Sequence, residues 1–172
     1  EDFALELGAT GTVSALNRVE IHPQISAAIE RVHIREGQTV RAGELLFTLD
    51  SRAAEVRVAQ AQAQLQRDLA TLADAERQLA RSRDLLRQDF VSQSAVDTNL
   101  SQVEAQQAVV VADRAAIQAA RVDLGYARIV APSAGRVGAI AVYAGSYVTP
   151  ASPALVTITQ LDPIAVSFPV PQ

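Results

Sequence analysis

The 172-residue chain contains no cysteine, methionine, tryptophan or lysine. Without Cys there can be no disulfide, thiol chemistry or thiolate metal site. Without Met there are no thioether ligands, and since even position 1 is not Met, a processed or trimmed chain is expected. Three Tyr and four Phe are too few aromatics for one large core. The net charge of −4 gives no electrostatic footprint for nucleic acid. There is no signal-peptide pattern and no apolar run long enough to cross a bilayer, so any export signal or membrane anchor would lie outside these residues. All fifteen basic residues are Arg.

Glycine and proline are also missing from 51–124, and there the sequence is most regular. Val58, Leu65, Leu72, Leu79 and Leu86 recur every seventh residue, and so do Val96, Val103, Val110, Ile117 and Leu124. Sustained heptads argue for a coiled coil. Paired antiparallel, Leu86 meets Val96, Leu79 meets Val103, Leu72 meets Val110, Leu65 meets Ile117, and Val58 meets Leu124. All five pairs centre on Val91, so a single fold-back aligns every layer. Taken together, Ala, Gln, Arg and Leu make up most of 51–124 and are compatible with helix. Asp50 is placed to N-cap the first arm, Ser92 or Ser94 the second, and Ser94 with Asp97 has capping-box spacing. Phe90, the only aromatic of the hairpin, is expected to plug the turn. An arm of about 35 residues is ~50 Å long, so the hairpin is expected to project. Its nine Arg and ten acidic residues read as a mixed, solvated surface.

On either side the texture changes to short strands and turns. Ile29, Val32, Ile34, Gly37 and Val40 map onto Val137, Ile140, Val142, Gly145 and Val148 at a constant offset of 108 residues. One inserted residue later, Leu46-Phe47-Thr48-Leu49 maps onto Leu155-Val156-Thr157-Ile158. Each segment has about 35 residues, below the ~40 that usually fold alone. An antiparallel hairpin returns the chain to where it left, so the two segments are expected to pack face to face as one small sandwich. Gly125 suits a left-handed helix end. Residues 1–16 alternate weakly, and Ile164, Val166, Phe168 and Val170 begin a further strand pattern.

Two such halves resemble those of a lipoyl/biotinyl domain, and split by a helical hairpin they resemble the periplasmic adaptors, or membrane fusion proteins, of the HlyD type. The stretch from Arg35 to Asp50, with its Glu36-Gly37-Gln38-Thr39-Val40 turn, carries the first half-motif. Ala131-Pro132-Ser133-Ala134-Gly135-Arg136-Val137 carries the second. Gln160-Leu161-Asp162-Pro163-Ile164 and Val166-Ser167-Phe168 resemble the entry into the adjacent β-barrel, especially in adaptors of resistance-nodulation-division (RND) efflux pumps. Two positions depart from the pattern: Ala27 stands where a turn Gly is usual, and Ala134 where Asp is frequent.

The resemblance implies an α+β fold: a split lipoyl/biotinyl-like β-sandwich with an inserted antiparallel α-helical coiled-coil hairpin and strands of a flanking β-barrel. The division expected is 1–16 barrel strands, 17–50 first half, 51–124 hairpin, 125–160 second half and 161–172 start of the barrel. The implied function is that of a periplasmic adaptor, anchored to the inner membrane by a segment outside these residues. It would link an inner-membrane RND transporter to a TolC-like outer-membrane channel and assemble with copies of itself into a ring. The tip of RND adaptors carries Arg, Leu and Ser at spacings of four and seven. Arg81, Leu85 and Ser92 match this, and the resemblance makes them the channel contact. Read by themselves, Arg81 is a solvated helix arginine and Ser92 an N-cap.

Other classes fit less well. A swinging-arm carrier needs a Lys to attach lipoate or biotin, and there is none. An enzyme needs a nucleophile, base and orienter, or a metal set. His22 and His33 have no third ligand nearby, and no Gly-Xaa-Ser-Xaa-Gly, P-loop or dinucleotide motif occurs. No catalytic, cofactor or metal site is therefore expected. An adaptor of an ATP-driven exporter or type I secretion system remains the alternative within the resemblance, and the gene neighbourhood would separate the two.

Overall fold

A computed structural model describes residues 12–15, 17–160 and 164–167. The chain divides into two units, Glu1–Asp50 with Tyr126–Gln172, and Ser51–Gly125. The first holds β1 (Thr12–Ala15), β2 (Arg18–Ile21), β3 (Ala27–Val32), β4 (Thr39–Val40), β5 (Leu45–Leu49), β6 (Arg128–Val130), β7 (Gly135–Val137), β8 (Tyr147–Val148), β9 (Val156–Thr159) and β10 (Ile164–Ser167). The second holds α1 (Arg52–Arg87) and α2 (Gln93–Gly125).

Two four-stranded antiparallel sheets, ordered β2-β9-β7-β4 and β6-β5-β3-β8, make up the sandwich. Each mixes strands from both halves of the chain, so the halves do not pack face to face as separate layers but interleave, β2 and β4 finding their partners only in β9 and β7. The repeat explains the orders, since an offset of about 108 residues carries β2, β9, β7 and β4 onto β6, β5, β3 and β8. Backbone bonds obey the same relation. Gly37 N donates to Val137 O at 2.9 Å and Gly145 N to Ile29 O at 2.7 Å. His33 N donates to Leu46 O at 2.9 Å and Ala141 N to Leu155 O at 3.1 Å. Gly37 and Gly145 both have positive φ, 77° and 94°, which a side chain would strain.

A single core unites the sheets. It is built from Ile29, Leu46, Phe47, Leu49 and Val148 of one sheet and Val40, Val137, Val156 and Ile158 of the other, with Leu155 from the segment before β9. Along β9 and β7 the burial alternates, as strands with one face on a core require. Ile140 and Val142 pack at the margin of this core but lie outside regular strands. Ala27 is not in a turn; it opens β3 opposite Val148, so its Cβ needs no special backbone. β1 and β10 pair antiparallel from Thr12↔Ser167 to Ala15↔Ile164. Residues 1–11 and Phe168 and Val170 lie outside the described residues.

In the helical unit Val96, Val103, Val110 and Ile117 are buried on α2, while on α1 Leu79 is buried and Val58, Leu65, Leu72 and Leu86 are half-buried. The apolar series therefore form the seam. Three sequence expectations about its ends need correction. The N-cap position of α1 is Ser51, not Asp50; Ser51 makes no side-chain cap and instead donates Oγ to Glu55 Oε1 at 2.6 Å. The Asp50 backbone N–H is engaged by the Ala28 carbonyl at 2.9 Å. Gly125 stays helical and is absent from the positive-φ residues, and two residues later the Ala127 carbonyl already accepts from Leu49 N at 2.7 Å. Ser94 lies inside α2, its carbonyl accepting from Thr98 Oγ1, and Asp97 accepts from Gln93 Nε2, so no Ser94–Asp97 capping box forms.

Candidate functional site

The end of the hairpin is shaped by how α1 stops. Asp89 N donates to Leu86 O at 3.0 Å and Phe90 N to Leu85 O at 2.9 Å. Asp89 carries φ 59°. This is a Schellman motif with Gln88 as C-cap, Asp89 in the left-handed position that glycine usually fills, and Phe90 next. Val91 then turns inward and packs with Leu86 and Leu100 against the cluster of Ala75, Leu79, Val96 and Val103. Ser92 starts α2: its carbonyl and its Oγ accept from Ala95 N at 3.1 and 3.4 Å. The turn is thus fixed by backbone bonds and one apolar cluster beneath it.

On that support the sequence-selected residues stand at one end of the hairpin. Arg81 is exposed, four residues before Leu85 on the same helix face. Leu85 is 40% exposed, while its neighbour Leu86 packs into the seam, as their heptad positions require. Ser92 is exposed across the turn and caps α2, so its own helix already employs the hydroxyl. Ion pairs join Arg77 to Asp74 and Arg87 to Asp84. Among the described residues none involves Arg81, leaving its donors for an outside acceptor.

Phe90 departs from expectation. It does not plug the turn but is 72% exposed, and Val91 does the filling instead. The Schellman geometry is the reason: the residue after the left-handed position is carried back over the last helical turn, towards Leu85. An apolar residue two places beyond a helix end, with Asp, Asn or Gly before it and Leu five before it, was the available signal. Leu85 and Phe90 are the exposed large apolar side chains of an otherwise polar tip that also presents Arg81 and Ser92. Such a surface can dock into an apolar recess while Arg81 bonds carbonyls or carboxylates at its rim.

His22 Nδ1 lies 3.3 Å from Ser152 O and His33 Nε2 lies 2.7 Å from Thr48 Oγ1, so each ring is a local sandwich contact. Among the described residues no three His, Cys, Asp or Glu group to hold a metal, and no helix is long and apolar enough to cross a membrane.

Residues 57–127 match the family described as RND MFP, alpha-helical hairpin domain. The chain is 40% identical over 173 residues to the multidrug resistance protein MdtA of Proteus mirabilis, covering 100% of this chain and 42% of that protein. It is 41% identical over 167 residues to MdtA of Yersinia enterocolitica, covering 96% and 38%. The chain thus spans about two fifths of the length of the curated relatives it matches. A solved MacA-MexA chimera containing the hairpin domain of Pseudomonas aeruginosa MexA aligns with TM-score 0.62 at 25% identity, over 95% of this chain and 53% of that one. A membrane fusion protein of Streptococcus pneumoniae aligns with TM-score 0.74 at 17% identity, over 93% and 68%, and shares the fold.

Proposed function

We propose, for a chain that belongs to the membrane fusion protein family of RND efflux systems, that it serves as the periplasmic adaptor of a tripartite multidrug efflux pump. It binds rather than catalyses, joining an inner-membrane RND transporter to a TolC-like outer-membrane channel. Several copies form a ring, held to the inner membrane by a segment outside these residues. The family matched over the hairpin favours an RND transporter over an ATP-driven one.

The observation that carries this reading is the hairpin tip. Arg81, Leu85 and Ser92 are exposed at one end of a rigid seam, and Leu85 presents apolar surface the fold does not use. We assign them to the channel contact. The test is complementation of an efflux-deficient strain beside a thermal melt of the purified protein. Arg81→Asp should abolish resistance with stability within about ±0.5 kcal/mol, since an exposed helix charge contributes little to folding. Leu85→Ser should act alike by removing the apolar anchor. Full resistance in the double variant would refute the docking role.

A further inference from the structure

Beside the apolar seam runs a second series. Ala54, Ala61, Asp68, Ala75 and Ser82 recur every seventh residue on α1, and all but the half-buried Ala61 are buried. On α2, Asn99, Gln106, Asp113 and Ala120 follow the same spacing, with Gln106 buried and the others half-buried. Antiparallel pairing about the tip sets Asp68 across from Asp113 and Ala75 across from Gln106. The side chains agree: Gln106 Nε2 donates to Asp68 O across the seam at 3.2 Å, and the Asp68 and Asp113 carboxyls lie close enough for each to act on the other. Two acidic side chains therefore meet inside a helix–helix seam.

Carboxylates are acceptors only, so two of them can hydrogen-bond only when one holds a proton. Their surroundings decide which. Asp68, 7% exposed, is served as an anion: Gln64 Nε2 donates to Oδ2 at 2.5 Å, and Arg67 Nε lies 3.5 Å from Oδ1. Asp113 has no such provision. Its Oδ2 is fully buried and no donor reaches it. Ionised, Asp113 would bring an unmet acceptor and a second negative charge into the seam.

We propose that Asp68 and Asp113 are a proton-sharing pair that makes the hairpin seam a pH-sensitive latch. It is closed while Asp113 carries the proton and donates to Asp68, and loosened by like-charge repulsion once that proton leaves. Of the charged groups around the pair, Arg67 on α1 acts on both carboxyls. On α2, Arg114 follows Asp113 in sequence but is exposed.

The titrations point the same way. Burial pushes the Asp113 carboxyl above the ordinary 3.8, reinforced by the hydrogen bond and the charge of Asp68 and opposed by Arg67. Burial also acts on Asp68, but hydrogen bonds from Gln64 and Asp113 and the charge of Arg67 outweigh it and hold Asp68 below 3.8. A carboxyl raised on folding contributes stability that is complete below its ordinary value and lost as pH rises through the raised one. For Asp68 the contribution is present above its ordinary value and is lost only as pH falls through the lowered one. The seam is therefore tightest where the pair holds one proton, and it weakens as pH rises through the raised value of Asp113.

The test uses the full chain. Asp113→Asn keeps the side-chain shape, supplies an amide donor to Asp68 and does not titrate. Helix melting is followed by circular dichroism from about pH 4 to about pH 8 for both proteins. The wild-type Tm should fall relative to the variant by several degrees as pH rises, and parallel curves would overturn the proposal. If the variant does not fold, a carbon NMR titration of the wild-type Asp113 carboxyl decides. A midpoint above the ordinary Asp range supports the latch, and one at or below it overturns it.

Discussion

Ala27 and Gly135 hold equivalent places in the two halves of the sandwich, yet only Ala27 has room for its Cβ. Ala27 pairs with Val148 at the edge of one sheet, and Gly135 pairs with Val40 in the other. A Cβ on Gly135 would lie 2.6 Å from Ile158 Cγ2 and 2.7 Å from the Thr159 carbonyl oxygen. The obstacle includes backbone of β9, which cannot move without disturbing its pairing with β2 and β7. Gly135→Ala is expected to cost about 1–3 kcal/mol by overpacking, read as a drop in chemical-denaturation midpoint.

The seam should be most sensitive nearest the tip. Leu79 is buried in the cluster with Val96 and Val103, whereas Leu72 lies half-buried at its margin. Leu79→Ala is expected to cost about 2–3 kcal/mol and Leu72→Ala distinctly less. Equal losses in a urea titration would contradict this gradient.

Asp89 offers the opposite kind of change. Its φ of 59° is left-handed, and its N–H is already committed to Leu86 O. Asp89→Gly removes the steric penalty of the Cβ and should stabilise the hairpin by about 0.5–1 kcal/mol, while Asp89→Val should destabilise it. Thermal melts of the two variants should move in opposite directions.

The interleaved strand orders bear on truncation. β4 has only β7 as its neighbour, and β2 has only β9, so neither strand can pair within its own half. A peptide of residues 1–50 is expected to show no native-like strand signal by circular dichroism. A cooperative melt from that peptide would overturn it.

Elements of the hairpin were legible where they depended on large apolar side chains. Leu79, Val96, Val103, Val110 and Ile117 announce their own burial by period, and the position of Arg81 and Leu85 follows from counting along α1. The second series was invisible because Ala, Ser, Asn, Gln and Asp at heptad spacing carry no hydropathic contrast; Asp68 and Asp113 read as surface charges. Phe90 was misplaced because composition argues for burying an aromatic, while the backbone bonds that carry it outward leave only the faint trace of Asp89. The exchange of strands between sheets was hidden for another reason: β4 and β8 have two residues each, too few to show a period. The repeat offset was the one long-range clue, and it correctly related the two sheets.

The centring of every layer on Val91 limits how this chain can change length. Removing seven residues from one arm alone would slide Leu79 past Val103 and shift Asp68 away from Asp113. Removing seven from both arms preserves every remaining layer and shortens the hairpin by about 10 Å. Insertions obey the same rule. The hairpin is thus a ruler graduated in paired heptads, adjustable only by matched changes on both sides of its turn and without any edit to the strands, and its permitted reaches form a discrete ladder.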